Sequence, residues 1–176
     1  SYINEYVFKS YSQEGEDMIL RRIFEGQDTG FYVDVGAHHP RRFSNTYYFY
    51  KLGWRGINID SMPSSMDLFK KMRSKDINLE LPISDKKEML TYYAFNESAL
   101  NGFSKKLSLS RDGKNGYKII FQRDMEALTL SQVFDRYLPN NCRIDFLSID
   151  VEGLDFEVLR SNNWDVFRPK IVLVEV

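Results

Sequence analysis

At 176 residues, with 43% hydrophobic and 28% charged side chains, the chain can bury one substantial core, is too short for two full domains, and lies outside the composition of disordered segments. Its 24 Lys and Arg against 25 Asp and Glu leave a formal charge of -1, which excludes a global basic field for nucleic acid. No apolar run approaches a membrane span, the first residues lack the charged-then-apolar layout of a signal peptide, and the single Cys142 can form no internal disulfide, so a cytoplasmic protein is expected.

Short β-branched runs alternate with segments of helical period, and no repeat interrupts them. That alternation predicts βαβ units, hence an α/β fold with a mostly parallel, doubly wound sheet, in one domain over residues 1–176. Residues 1–28 are expected to form a helical cap, with Ser12 capping a helix through Arg22 whose apolar face is Met18, Ile19, Leu20 and Ile23. Residues 31–35 read as the first strand. Ser44 or Asn45 is the expected N-cap of a helix carrying Tyr47, Tyr48, Tyr50 and Leu52, which Gly53 stops in a left-handed conformation. Residues 56–60 form the second strand, and a helix through Met66, Phe69 and Met72 leads to a third near residues 78–83, where Pro82 argues for a sheet edge or a strand end.

From Thr91 to Asp124 the periodicity fails. Residues 91–95 could be an extra strand, whereas residues 96–116 are rich in Ser, Lys, Asn and Gly, so 96–124 is read as a long mobile loop on the substrate side. Thr129 begins a capping box with Gln132, and Leu130, Val133, Phe134, Tyr137 and Leu138 keep helical spacing until Pro139 and Asn140. A fourth strand at 144–150, a helix at 154–159 and a fifth strand at 170–176 complete the pattern. The run at 171–174 has no charge or proline to guard an edge. It therefore predicts a neighbour, either chain beyond Val176, with the last strands of the fold missing here, or a partner such as a second copy in a homo-oligomer.

The chemistry concentrates at Val33-Asp34-Val35-Gly36-Ala37-His38-His39-Pro40, where a strand ending in a carboxylate runs into a loop opened by glycine. In open α/β sheets ligands bind outside the carboxyl ends of the strands, and a glycine removes the side chain that would block them. Gly36 is therefore either the floor of a cofactor site or a tight turn. Asp60 ends the next strand, where such a fold places the acid that hydrogen-bonds ribose hydroxyls. His38, His39 and Arg41 occupy the later positions of the G-x-G-x-x-G fingerprint, which disfavours a dinucleotide. A nucleoside with a charged amino-acid tail fits better, because Asp34 can complement an ammonium or sulfonium.

Ser148-Ile149-Asp150-Val151-Glu152-Gly153 puts two carboxylates beside the same crevice. They suit acid-base work or ammonium binding, while Glu152 could instead complement the start of the next helix. Asp150, Glu152 and the two histidines have the chemistry of divalent-ion ligands, but no spacing dictates a set and no metal is expected. His38 and His39 are adjacent, so at most one faces a substrate, as a general base or as a plain loop residue.

Taken together, Tyr11-Ser12-Gln13-Glu14-Gly15-Glu16-Asp17, Val33-Asp34-Val35-Gly36-Ala37, Phe43-Ser44-Asn45-Thr46, Gly53-Trp54-Arg55-Gly56 and the block from Ile144 to Gly153 resemble the FkbM family of methyltransferases. The resemblance implies a Rossmann-like class I methyltransferase fold, S-adenosylmethionine as methyl donor, and O-methylation of a hydroxyl on a sugar or secondary metabolite. It assigns Asp34, Gly36 and Ala37 to the methionine part of the cofactor, Asp60 to the ribose, and Ser84 with Asp85 to the adenine side. Ser12 and Gln13 would close over the site, and Asn45 and Asp150 join the cofactor set. His38-His39-Pro40 departs from the smaller residues of many relatives, and Asp60 stands where Glu is common. The implied partner is a small-molecule or glycan acceptor, deprotonated first by Asp150 or Glu152 and second by His38, with Asn101, Gly102 and Phe103 helping to cover it. The competing expectations are an NAD-type oxidoreductase and a non-catalytic domain of the same fold.

Overall fold

A computed structural model describes residues 10–174 of the protein. Five strands form one parallel sheet in the order β3-β2-β1-β6-β7. They are β1 (Phe31–Val35), β2 (Arg55–Asp60), β3 (Ile77–Glu80), β6 (Phe146–Ile149) and β7 (Ile171–Val174). The strand order reverses between β1 and β6, so the crevice of this doubly wound sheet opens at their carboxyl ends.

Both faces of the sheet are covered. On one, α1 (Glu16–Ile23) and α2 (Tyr47–Leu52) pack Leu20 and Phe49 against Tyr32 and Phe146, while α3 (Ser65–Met72) packs Met66 and Phe69 on Ala37. There Phe49 sits with its ring centroid 4.7 Å from Trp54 and 5.1 Å from Phe146, and burying each such ring stabilises the fold by roughly 1.5–3 kcal/mol. On the other, α5 (Leu130–Tyr137) and α6 (Asp155–Arg160) pack Leu130, Val133, Phe134 and Val158 onto Val33, Val35, Ile57, Ile59, Leu147 and Ile149. The alternation of β1 thus sends Val33 and Val35 to one face and Tyr32 and Asp34 to the other.

The capping box of α5 forms as expected, with Thr129 accepting from the Gln132 N–H at 3.1 Å and Gln132 accepting from that of Thr129 at 3.0 Å. Gly53 stops α2 at φ 105°. Several other expectations are corrected. The N-cap of α1 is Gly15, left-handed at φ 87°, and Ser12 instead donates to Asp17 at 2.9 Å. The N-cap of α2 is Thr46, while Ser44 accepts from the Tyr47 N–H at 3.1 Å. The fourth predicted strand shortens to β6, and the fifth begins at Ile171, its last two positions lying outside the described residues. β7 lies at an edge of the sheet among the described residues.

Residues 91–95 do lie in a strand, and the largest correction is segment 96–124, read as a long mobile loop. β4 (Glu88–Phe95) and β5 (Ile119–Ala127) pair antiparallel into a ribbon, joined by a 3-10 turn (Ser98–Leu100) and α4 (Lys105–Arg111). Five consecutive residues of β5 are exposed, so the strand lacks the alternation by which a half-buried strand is recognised in a sequence.

Candidate active site

The carboxyl ends of β1, β2 and β6 interlock through their backbones. The Gly36 and Ala37 N–H groups both donate to the Ile59 carbonyl, at 2.9 and 3.0 Å, and the Asp150 N–H donates to the Val35 carbonyl at 2.9 Å. Gly36 has φ 82°, and a Cβ there would overlap the Asp150 carbonyl oxygen. Glycine is demanded twice, by the left-handed turn and by the close approach of β6.

Asp60, 7% exposed, receives the His38 N–H on Oδ2 and the Met62 N–H on Oδ1, both at 2.9 Å. Each oxygen keeps further lone-pair capacity for a ligand. His38 takes φ 54° and swings its half-exposed ring between two acids, Nδ1 3.6 Å from Asp60 and Nε2 3.9 Å from Asp150. His39 does different work: its Nδ1 accepts from the N–H groups of Arg41 and Arg42 at 3.0 and 2.9 Å. Burial, and then Arg42 and Arg41, hold its pKa below the ordinary histidine value, which keeps that nitrogen able to accept. Of the adjacent pair, the structure brings His38 to the site and uses His39 to shape the turn.

These groups surround a cavity of about 400 Å³. Val35, Gly36 and Ile59 at the strand ends line it, together with Asp60, Asp150 and Glu152 and the apolar Leu81, Pro82, Ile83 and Val158. The roof comes from the ribbon and its 3-10 turn, through Leu90, Tyr92, Asn101, Gly102 and Phe103. Asn101, Gly102 and Phe103 stand where the sequence suggests a covering segment; Tyr92 does not announce itself, because a tyrosine in a run of aromatics reads as core. On the far side of Asp150 and Glu152, a more open hollow of about 670 Å³ is lined by Gln13, Asp155 and Phe156 among others.

The remaining expected residues lie around the cavity and not in its lining. Asp34 is behind Gly36, on the opposite face of the sheet, 6% exposed, and its carboxylate accepts no hydrogen bond among the described residues. Burial pushes its pKa up to about 7; Arg73 and His38 work against that rise, and Asp150 and Asp60 add to it. Ala37 is buried against Met66 and Phe69. Asn45 donates to Ser148 Oγ at 3.1 Å, and its own buried Oδ1 has no partner among the described residues. Ser84 donates to Glu88 at 2.7 Å and Asp85 is exposed, one step beyond the wall that Leu81, Pro82 and Ile83 supply.

Two buried knots hold the loops that frame the site. Arg73, fully buried, donates to Asp76 at 3.1 Å, to the Pro40 carbonyl at 2.9 Å, to Thr46 at 2.9 Å and to the Tyr32 hydroxyl at 2.8 Å. Asp76 in turn accepts from the Tyr32 hydroxyl at 2.6 Å and the Gly56 N–H at 3.0 Å. Arg73 is absent from the expected site, yet its place on the stripe of Met66 and Phe69 was the available signal. The second knot is Asp17, also fully buried. It receives Ser10 at 2.6 Å, the Tyr11 N–H at 2.8 Å, Ser12 at 2.9 Å and Arg21 at 3.2 Å. The Ser44 N–H then donates to the Tyr11 carbonyl at 2.9 Å, which straps this segment across the loop before α2 and brings Gln13 to the open hollow.

Among the described residues no helix is long and apolar enough to cross a membrane, and no three of His, Cys, Asp and Glu converge as metal ligands. Compared with known families, residues 34–176 match the methyltransferase FkbM domain, a stretch that contains every strand of both sheets save the first three residues of β1. No curated protein and no solved structure matches the chain.

Proposed function

Because the chain belongs to the FkbM methyltransferase family, we propose that it transfers a methyl group from S-adenosylmethionine to a hydroxyl of a small-molecule or glycan acceptor. The observation that carries this reading is the cavity at the switch point of the sheet, lined both by apolar side chains and by Asp60, Asp150 and Glu152. Its volume of about 400 Å³ lies in the range of small-ligand sites. Leu81, Ile83 and Val158 offer a flat apolar surface for a base, Asp60 retains acceptor capacity for a ribose, and Gly36 leaves room at the floor. The adenine side therefore extends from the neighbourhood of Ser84 and Asp85 onto Leu81 and Ile83. Asp34, Ala37 and Asn45 stand around the methionine side without lining the cavity, Asp34 acting on it only through space when ionised, and Gln13 reaches the site from the open hollow. A cytoplasmic setting suits the free Cys142.

S-adenosylmethionine, when bound, supplies a methyl group carried on a sulfonium, an electrophile that needs no further activation. The protein's part is alignment, exclusion of water and removal of one proton. Asp150 and Glu152 border both the cavity and the open hollow, so an acceptor hydroxyl entering from the hollow meets them first. Asp150 is the preferred base, with Glu152 beside it, and His38, 3.9 Å away, is placed to share the proton. Asn101, Gly102 and Phe103 exclude water from above.

Isothermal titration with S-adenosylmethionine and S-adenosylhomocysteine tests the reading. Binding is expected for both, and Asp60→Ala should weaken it about 10-fold or more, the loss of a hydrogen bond to a charged group. Absence of heat at millimolar ligand would sink the proposal. Binding without turnover over a broad panel of hydroxyl acceptors would point to a non-catalytic domain instead.

A further inference from the structure

The loop that leaves β1 past His38 carries Arg41, Arg42 and Phe43, all three exposed, Phe43 to 70%. The backbone around them is pinned. His39 Nδ1 accepts from the Arg41 and Arg42 N–H groups at 3.0 and 2.9 Å, Arg73 donates to the Pro40 carbonyl at 2.9 Å, and the Ser44 N–H donates to the Tyr11 carbonyl at 2.9 Å. Between these anchors Phe43 takes φ 53°, a left-handed conformation that bulky side chains rarely adopt. Among the described residues its ring packs on no other ring. The fold thus holds an aromatic side chain out in solvent between two arginines.

A third cation joins them. Lys51 Nζ lies 5.9 Å from the centre of the Tyr47 ring, and the Arg41 guanidinium stands 6.0 Å from the same ring. Tyr11 packs edge-on against Tyr47, centroids 4.8 Å apart, and its hydroxyl accepts from Lys51 at 3.3 Å. Among the described residues no carboxylate pairs with Arg41, Arg42 or Lys51. None of these cations, nor Phe43, lines the cavity or the open hollow, so the group suits a broad surface better than an enclosed small ligand. A protein partner has to match a fixed relief. A fluid bilayer yields to one inserted ring and gathers anionic headgroups around neighbouring cations.

We propose that Arg41, Arg42, Phe43 and Lys51 dock the protein on an anionic lipid bilayer, the ring entering the headgroup layer and the three cations meeting negatively charged headgroups. The five residues from His38 to Phe43 span at most about 18 Å, which sets the limit on how far the cavity stands from the docked ring. The inference does not depend on the identity of the methyl donor.

The test is co-sedimentation of the protein with vesicles of phosphatidylcholine alone and of phosphatidylcholine with about one-third phosphatidylserine, at low and at high salt. A cation close to an anionic surface strengthens binding about fivefold, so three give a preference of about 100-fold for the anionic vesicles, lost at high salt. Arg41→Gln combined with Arg42→Gln should weaken binding to the anionic vesicles about 25-fold, and Phe43→Asn about tenfold. Both variants leave the N–H groups that His39 holds, and asparagine tolerates a left-handed backbone, so their unfolding curves should match wild type. Absence of wild-type binding, a preference for anionic vesicles below about fivefold, or variants that fold and sediment as wild type does would each overturn the inference.

Discussion

Replacing Asp34 by asparagine should stabilise the protein at alkaline pH and weaken the site. The carboxyl is 6% exposed, accepts no hydrogen bond among the described residues, and has its pKa raised by burial from 3.8 to about 7. Each tenfold change in acidity is worth about 1.4 kcal/mol, so holding Asp34 ionised costs the fold about 4 kcal/mol. The sign follows from proton counting. Between 3.8 and about 7 the folded state keeps a proton that the unfolded state has released, so stability falls as pH rises through that window. Below the window both states are protonated and the penalty vanishes. Asparagine has the same shape and no charge, so the advantage of Asp34→Asn over wild type should be near zero at pH 4 and about 4 kcal/mol at pH 8, roughly 8–16 °C in Tm for a domain of this size. Urea unfolding of both proteins across that range measures the difference, in which the other titrating groups cancel. An Asp34→Asn protein less stable than wild type at pH 8 would refute the reasoning, because it would mean that the carboxylate has a partner in the fold. Titration of S-adenosylhomocysteine should show the opposite trend, affinity falling as the buried charge is removed. A costly charge placed beside a ligand cavity is the pattern of a site that trades stability for binding.

Two further substitutions probe how the loops are held. Arg73→Met leaves Asp76 as a buried charge without its cation, and is expected to cost about 3–5 kcal/mol in urea unfolding, with part of the loss recovered when Asp76→Asn is added; a cost below about 1 kcal/mol would show that the knot is ornamental. Gly36→Ala should cost more than Gly53→Ala, since both have left-handed backbones but only the first meets the Asp150 carbonyl. The backbone share alone is about 1–3 kcal/mol, and equal losses at the two positions would remove the close-approach argument.

What could be read from the residues, and what could not, divides along the range of the interactions. The strands of the parallel sheet announce themselves because each is a short run of apolar residues, continuous in β7 and alternating in β2 and β3, and the cap of α5 because Thr129 and Gln132 are three positions apart and satisfy each other. Half of the ribbon is legible, residues 91–95 reading as a possible extra strand and lying in β4; β5 is hidden because five consecutive exposed residues erase its alternation. Arg73 hides in a run of charges that looks solvated, although in space three rings surround its guanidinium, Tyr50 the nearest at 4.8 Å. His38 and His39 are equivalent on paper. Only the positive φ of His38 and the two N–H groups aimed at His39 separate a group held at the cavity from one that builds a turn. Ser12 looks like a helix cap and is instead one of several donors gathered by Asp17, a role visible only once the segment folds back on itself.

The same contrast bears on how the site keeps its shape. Gly36, His38, Asp60 and Asp150 belong to three strand ends, and each touches a neighbour: the Gly36 N–H and the Asp60 strand through the Ile59 carbonyl, His38 through Asp60, Asp150 through the Val35 carbonyl. Backbone contacts dominate this set, so the floor of the cavity is fixed by strand register and costs no side-chain entropy to hold. The roof is different. It hangs on a ribbon with one exposed face, its 3-10 turn tied back to β4 by the Tyr93–Gly102 bridge and the Asn101 amide. On the proposed function, a rigid floor suits the cofactor, and a roof carried by a ribbon whose β5 is largely exposed is the part free to move. Exchange protection should therefore be high for the N–H groups of β1, β2 and β6 and low for those of β5, and addition of S-adenosylhomocysteine should slow exchange at Tyr93 and Gly102 before it affects the sheet.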